Sequence, residues 1–359
     1  MLSNLFRIKW VRISTIITLL AGFYFAAVVA HQQRAAQREQ PVLLTDNCRA
    51  KLSRYGLEGG EYYRSPYRRD PGTMVPVRRG YSVADIRAIE RGCVIIDDLQ
   101  GEQAQASIER WNATRFVRGQ QTSCDHCHQG VGDKQGADGR PQIGSLSLGA
   151  SWVMADMYDR FTGLLLPFEL RQMQCFINSS NGFKPNIADD LIRDVTAYSR
   201  FLSAALDLRI GQRYPEQGID EVTVSQTLKR GDDYVRGEAL YRQKCARCHG
   251  AQGQGLRQDG RTLVPAVAGP DAFNLQSRNN FSFVSTILPG FICRNMPLGE
   301  EGSLEPQQCR DIAFFVSNLP RPAGDKQGPL RAAWQQLMMH GMPPLVGLMS
   351  ELTHGTGAP

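Results

Sequence analysis

Two stretches of the chain share one spacing of reactive side chains: Cys124-Asp125-His126-Cys127-His128 and Cys245-Ala246-Arg247-Cys248-His249. In each, two thiols are separated by two residues and followed at once by a histidine. That arrangement lets both sulfurs add to the vinyl groups of one porphyrin while the adjacent imidazole ligates its iron, which is the chemistry of c-type haem attachment. A zinc knuckle or a redox dithiol also uses two cysteines at this spacing, but neither needs a histidine directly after the second. Two copies of the motif in a chain with nine cysteines imply two covalently bound haem c groups.

Each iron then needs a ligand on its opposite face. Of the six histidines, His128 and His249 are already used, His126 lies inside an attachment motif, His31 abuts the apolar N-terminal run, and His340 and His354 lie in the tail. Sulfur is the natural substitute. For the second haem the candidate is Met296, 47 residues after His249 in Asn295-Met296-Pro297-Leu298-Gly299, where Pro297 stiffens the presenting loop. The alternative is an ordinary core methionine. For the first haem the candidate is Cys175, 47 residues after His128. Four cysteines hold haem; of the other five, Cys48 can pair with Cys93, and Cys293 with Cys309, stapling the Met296 loop and leaving Cys175 over. On spacing alone a buried, inert cysteine explains Cys175 equally well. Methionine ligation would raise a haem potential, and thiolate ligation would lower it.

The elements that must position these residues read as helices, and the expected fold is all-α: two cytochrome c-like haem domains in tandem behind an N-terminal signal or anchor helix. Residues 1–30 form that helix and 31–103 a loop-rich extension, including a polar spacer from Gln32 to Gln40 and a short helix from Ser82 to Arg91 capped by Ser82. Domain 1 covers 104–207. A helical pattern runs from Ala104 to Phe116, a Gly-rich loop follows His128, and a helix is expected over Glu169–Ile177. Leu191, Ile192, Val195, Tyr198, Phe201 and Leu202 then mark an amphipathic helix that closes the domain. A polar linker (208–230) leads to domain 2 (231–322), where Gly237 permits close crossing of a helix over Cys309–Leu319. Residues 323–359 are a C-terminal tail with an apolar patch.

The remaining composition sets limits. With 359 residues, two or three domains are expected. A net charge of +6 gives no reason to expect nucleic acid as a partner. Arg7, Lys9 and Arg12 precede an uncharged run from Ile13 to Ala30, long enough to cross a hydrocarbon core, with Val28-Val29-Ala30 resembling a cleavage site. Basic residues stay on the cytoplasmic side, so the rest of the chain is exported. The expected location is the periplasm, either released or held to the inner membrane, where disulfides persist.

Two blocks resemble those of the diheme thiosulfate dehydrogenases, which form tetrathionate and are related to the diheme A subunit of the sulfur-oxidising complex. FICRNMPLGEEGSLEPQQCRDIAFFVSNLPRP is similar to the family's block around its methionine ligand. LRQMQCFINSSNG is similar to the block around the cysteine that ligates the active-site haem, with Arg171, Cys175, Ser179, Asn181 and Gly182 at the matching positions. The likeness spans roughly Ile108 to Pro322. It implies that Cys175 ligates the first haem, that thiosulfate reacts there, and that electrons leave through the second haem to a cytochrome, quinone-linked acceptor or respiratory complex. Arg171, with Arg160 as a second cation, would hold the dianion, and Ser179 would bond substrate or ligating sulfur. Ile177 and Asn178 replace the charged residue that often follows the family's cysteine. The Cys48–Cys93 region, the Cys293 and Cys309 pair and the tail find no counterpart.

Three functions compete at this point. The first is a thiosulfate dehydrogenase-like oxidoreductase. The second is a non-enzymatic, membrane-anchored diheme electron carrier, which Cys175 with Arg171 disfavours because a relay needs no anion site. The third is a diheme subunit of a sulfur-oxidising complex.

Overall fold

The computed structural model describes residues 2–63, 70–73, 77–99, 101, 123–128, 131–135, 141–143, 148–149, 152, 158–159, 164–165, 167–179, 187, 189–206, 232–273 and 288–320. The helical pattern read at 104–116, the linker, the tail, and Arg160, Asn181, Gly182, His340 and His354 lie outside them.

The chain opens with a long helix, α1 (Leu2–Arg38). It runs through the segment read as a polar spacer, whose Ala, Gln and Arg residues are good helix formers. Its end is tied down: Arg38 pairs with Asp190 at 3.1 Å, and Arg91 donates to the Arg38 carbonyl at 2.9 Å. Among the described residues no helix is long and apolar enough to cross a membrane, so the expected spanning anchor finds no support there.

Helix α2 (Asp46–Arg54) starts at Thr45, whose hydroxyl accepts the Cys48 amide at 3.0 Å. A two-stranded antiparallel pair, β1 (Glu61–Tyr63) with β2 (Arg78–Gly80), leads into α3 (Val83–Asp97). Ser82 caps α3 as read from the sequence, in a full capping box with Asp85. The helix runs past the expected end at Arg91 because Cys93, Val94, Ile95 and Ile96 are all buried. Burial on more than one face erases the amphipathic period that marks a surface helix.

After the 3₁₀ turn Cys124–His126 come two short antiparallel pairs, β3 (Val131–Gln135) with β4 (Pro141–Ile143) and β5 (Tyr158–Asp159) with β6 (Leu164–Leu165). Helix α4 (Phe168–Gln174) continues into a π-helical turn, Cys175–Ser179, followed by α5 (Asp190–Ala205). The second half contains α6 (Asp232–Lys244), α7 (Ala246–His249), the pair β7 (Leu256–Gln258) with β8 (Arg261–Val264), α8 (Leu288–Asn295) and α9 (Pro306–Asn318). The fold is helix-rich rather than all-α. The Gly-rich stretches after each Cys-X-X-Cys-His motif, which carry no helical period, fold back as short hairpins.

Two close helix crossings organise the molecule. Helix α3 packs across α5 at Gly92, where a Cβ would lie 2.1 Å from the Asp194 carbonyl oxygen and 2.7 Å from Tyr198 Cβ. Helix α6 packs across α9 at Gly237, where a Cβ would lie 2.1 Å from the Asp311 carbonyl oxygen and 2.9 Å from Phe315 Cβ. Only glycine fits at either place. Both glycines follow an arginine that bonds the facing aspartate: Arg91 Nε to Asp194 at 2.7 Å, and Arg236 Nε to Asp311 at 2.8 Å.

One core gathers α3 and α5 with Cys48, Leu52, Tyr62, Tyr63, Trp152 and Phe168; the other holds Tyr241, Ile292, Cys309, Ile312 and Phe315. The segment 31–103, read as a loop-rich extension, thus supplies two helices and a large share of the first core. Both expected disulfides form, Cys48–Cys93 and Cys293–Cys309.

Candidate functional site

The first motif is fastened to the end of α3. Ser123, directly before Cys124, accepts the Leu99 amide on its hydroxyl at 3.0 Å, although residues 102–122 intervene in sequence. His126 is engaged within the motif: its Nδ1 accepts the Ser123 amide at 3.2 Å and lies 3.5 Å from Asp125. His128 follows directly after Cys127.

Arg171 on α4 and Cys175, the first residue of the π-helical turn, stand four residues apart, which places both side chains on one face. Two links hold α4 against α5: Gln172 donates to the Thr196 hydroxyl at 2.7 Å and to the Ile192 carbonyl at 3.3 Å, and Glu169 lies 3.8 Å from Arg200. The π-helical turn after Gln174 then brings Ser179 back to Cys175. Burial pushes the Cys175 thiol up, opposed by the positive charge of Arg171 and by a hydrogen bond from the Ser179 hydroxyl. Its sulfur is reachable by solvent, yet enclosed by enough protein that desolvation dominates.

Cys175 also acts on the first motif. Burial is the main cause that raises the Cys124 thiol and pushes Cys127 up to about 11, and Cys175 adds to both. Cys175 thus lies near enough to Cys124 and Cys127 to act on them, with Arg171 and Ser179 acting on Cys175 itself. This arrangement has the right chemistry for a c-type haem: two thiols for the vinyl groups, and a third thiol from another element.

The second motif continues directly from α6, and the Cys245 amide donates to the Tyr241 carbonyl at 2.8 Å. His249 Nδ1 lies 2.9 Å from the Pro265 carbonyl. A carbonyl can only accept, so Nδ1 carries the proton and Nε2 keeps its lone pair for a metal. Burial lowers the His249 pKa, which favours the same neutral imidazole. Met296 is half-buried against the second core, against which Cys245, Ala246 and Val267 also pack. Its amide bonds the Ile292 carbonyl at 3.0 Å, and the Cys293–Cys309 disulfide lies just ahead of it. These residues fit a haem held by Cys245, Cys248 and His249 with Met296 facing it. Among the described residues, no group of three or more His, Cys, Asp or Glu side chains is gathered as a metal-holding cluster.

Three features escaped the sequence reading. Pro265, which fixes the His249 tautomer, is distant in sequence and carries no motif. Gly92 plays in the first half the role that was assigned only to Gly237; the shared Arg-Gly dipeptide was the available signal. Ser123, which docks the first motif on α3, could not be found without the fold.

The family "Cytochrome C oxidase, cbb3-type, subunit III" matches residues 232–316. The thiosulfate dehydrogenase of Allochromatium vinosum is 35% identical over 203 residues, 56% of this chain and 70% of that protein. That of Thiomonas intermedia is 31% identical over 219 residues, 60% of this chain and 63% of its own length. The structure of thiosulfate dehydrogenase TsdBA from Marichromatium purpuratum shares the fold, with a TM-score of 0.52 at 24% identity over 72% of this chain and 51% of that chain. The chain is thus an oxidoreductase that belongs to the thiosulfate dehydrogenase family of haem c cytochromes.

Proposed function

We propose that this protein is a periplasmic cytochrome of two tandem haem domains that joins two thiosulfate ions into tetrathionate at the first and passes electrons out through the second. Two thiosulfate dianions form one sulfur–sulfur bond and release two electrons, with no proton exchanged. Each haem c, when bound, supplies a one-electron acceptor, so the two together take up one turnover.

The chain's own residues would divide the work as follows. Cys124, Cys127 and His128 would hold the first haem, and Cys175 would supply a thiolate to it. Arg171, one helical turn from Cys175, offers a planar fork of donors that neutralises and orients a dianion. The Ser179 hydroxyl bonds the Cys175 sulfur and so tunes its basicity. The Gln172 bridge to Thr196 fixes α4, and with it the spacing of Arg171 and Cys175. Cys245, Cys248, His249 and Met296 would hold the second haem. A thiolate at the first iron and a thioether at the second would place the potentials so that electrons run from first to second, then to a cytochrome or quinone-linked acceptor. The two disulfides and the covalent haem motifs support the periplasmic location.

One observation carries the reading: Cys175, Arg171 and Ser179 converge beside the thiols of the first motif. A pure electron relay needs no such cation and hydroxyl beside a thiol. The test is to add thiosulfate to the purified, oxidised protein under anoxic conditions. The haem bands should reduce, with one tetrathionate formed per two thiosulfates, and Arg171→Ala should raise KM and lower kcat/KM by about 10²-fold, the loss expected for a charged hydrogen-bond pair. Haems that remain oxidised would end the proposal.

A further inference from the structure

A buried side chain with a hydroxyl that no step above uses faces the turn after the second motif. Tyr241, one turn before Cys245 on α6, is 1% exposed, and its ring lies 5.3 Å from that of Phe315 on α9. Phenylalanine would serve that packing as well. The Tyr241 hydroxyl donates to the Gly250 carbonyl at 2.8 Å, and Gly250 follows His249 directly.

The bonds beyond Gly250 lead back to the imidazole. The same carbonyl accepts the Gly253 amide at 3.1 Å, and the Gly253 carbonyl accepts the amides of Val267 and Ala268, each at 2.8 Å. The Gly255 amide returns to the His249 carbonyl, also at 2.8 Å. Residues 264–266 come so close to Gly255 that a Cβ there would lie 2.5 Å from the Val264 oxygen and 2.7 Å from the Ala266 nitrogen, which only glycine avoids. Pro265 stands between those two residues, and its carbonyl is the one 2.9 Å from His249 Nδ1. The loop that begins at Gly250 thus delivers the partner of the imidazole, and Tyr241 ties its start to the crossing of α6 and α9.

We infer, on the reading that His249 ligates the second iron, that Tyr241 is a positioning residue for the second haem: through Gly250 it holds the loop that sets the Pro265 carbonyl on His249. A carbonyl that accepts the Nδ1 proton makes the opposite nitrogen a stronger donor to the metal, which favours ferric iron and lowers the potential. Without the hydroxyl that bond loosens and the potential of the second haem rises. Electrons then arrive more readily from the first haem and leave less readily to the acceptor.

The test uses the full-length, haem-loaded protein and Tyr241→Phe, which keeps the ring and removes only the hydroxyl. A wild type whose second motif carries no haem, read by mass spectrometry of that peptide, would contradict the underlying haem reading, separately from this one. In Tyr241→Phe, potentiometric titration should show the second haem at higher potential and the first unchanged. In the reduced protein labelled with ¹⁵N-histidine, the His249 Nδ1 proton should exchange about fivefold faster than in the wild type, the loss of roughly one neutral hydrogen bond. The near-infrared sulfur-to-iron band of the second haem should persist, because the opposite ligand is untouched. An unchanged second potential or an unchanged exchange rate would overturn the inference, and so would a loss of that band, which would mark Tyr241 as a general support of the fold. If Tyr241→Phe fails to load the second haem, 3-fluorotyrosine at position 241 decides: its hydroxyl is the stronger donor on a nearly unchanged ring, so the second potential should fall. A potential that stays the same or rises would overturn the inference.

Discussion

The two halves of the molecule use one scaffold to present different sulfurs. In each, an Arg-Gly dipeptide on one helix meets an aspartate and, one turn later, an aromatic residue on another: Arg91-Gly92 with Asp194 and Tyr198, Arg236-Gly237 with Asp311 and Phe315. In each, a sulfur-bearing residue lies 47 positions beyond the motif histidine. The surroundings of that sulfur differ. Cys175 sits on a π-helical turn with a cation and a hydroxyl beside it. Met296 sits in a loop packed on an apolar core and preceded by a disulfide. The shared crossing places a sulfur at the same interval in each half, and the residues around that sulfur set the two halves apart.

The comparison can be broken at its strongest point. Gly92→Val and Gly237→Val each drive a side chain into a facing backbone carbonyl, with an expected cost of about 3 kcal/mol or more. Denaturant unfolding followed at each haem should show each variant damaging its own half first. A loss shared equally by both halves would mean that the crossings are not independent.

The arginines sharpen it next. The Arg91 side chain is 12% exposed and that of Arg236 48%. Arg91→Ala leaves the buried Asp194 with a long Arg193 contact at 3.5 Å and should cost about 3–5 kcal/mol, whereas Arg236→Ala leaves the equally buried Asp311 a Gln307 donor at 2.7 Å and should cost clearly less. Equal losses would contradict this reading of the two pairs.

The disulfides differ in role. Cys48 and Cys93 are 45 residues apart, and Cys293 and Cys309 are 16 apart, so loop closure assigns them about 4 and 3 kcal/mol respectively. Replacing Cys293 and Cys309 by serine should also weaken the near-infrared sulfur-to-iron band of the second haem. Replacing Cys48 and Cys93 should leave the ligands of both haems in place.

The smallest effect concerns acid. Burial alone would raise the Asp85 pKa, but hydrogen bonds from the Ser82 amide, Tyr62 and the Ser82 hydroxyl, with the Arg79 charge, hold it below the ordinary carboxylate range. A carboxyl with a depressed folded pKa stabilises above its unfolded pKa and loses that contribution as pH falls through the folded value. Solvent screening keeps the contribution under about 1 kcal/mol. The corresponding box on α9 pairs Glu305 with a glutamine, Gln308. An acid titration below pH 4 should therefore loosen α3, and Asp85→Asn should remove that part of the slope.

Much of this was legible in the sequence because covalent chemistry fixes short spacings. Cys124, Cys127 and His128, with their repeat at Cys245, needed no tertiary information. The disulfide pairs followed from counting thiols, and Ser82 from the chemistry of helix starts. Gly237 was legible because it stands on the helix that runs straight into its motif, eight residues before Cys245. Gly92 was not, because residues 102–122 separate α3 from the motif it supports. Pro265 and the bond from Tyr241 to Gly250 depend on which backbone carbonyls the fold brings near, and no local pattern records that. The hairpins were missed because segments without a helical period read simply as loops.

The central claim is that Cys175 supplies a thiolate to the first haem. Electron paramagnetic resonance of the oxidised protein and of Cys175→Ala tests it most directly. The wild type should show a low-spin signal of a histidine–thiolate haem beside that of a histidine–methionine haem. In the variant the first signal should vanish and the second remain. A spectrum unchanged by the substitution would contradict the assignment of Cys175 as ligand and remove the main support for chemistry at the first haem.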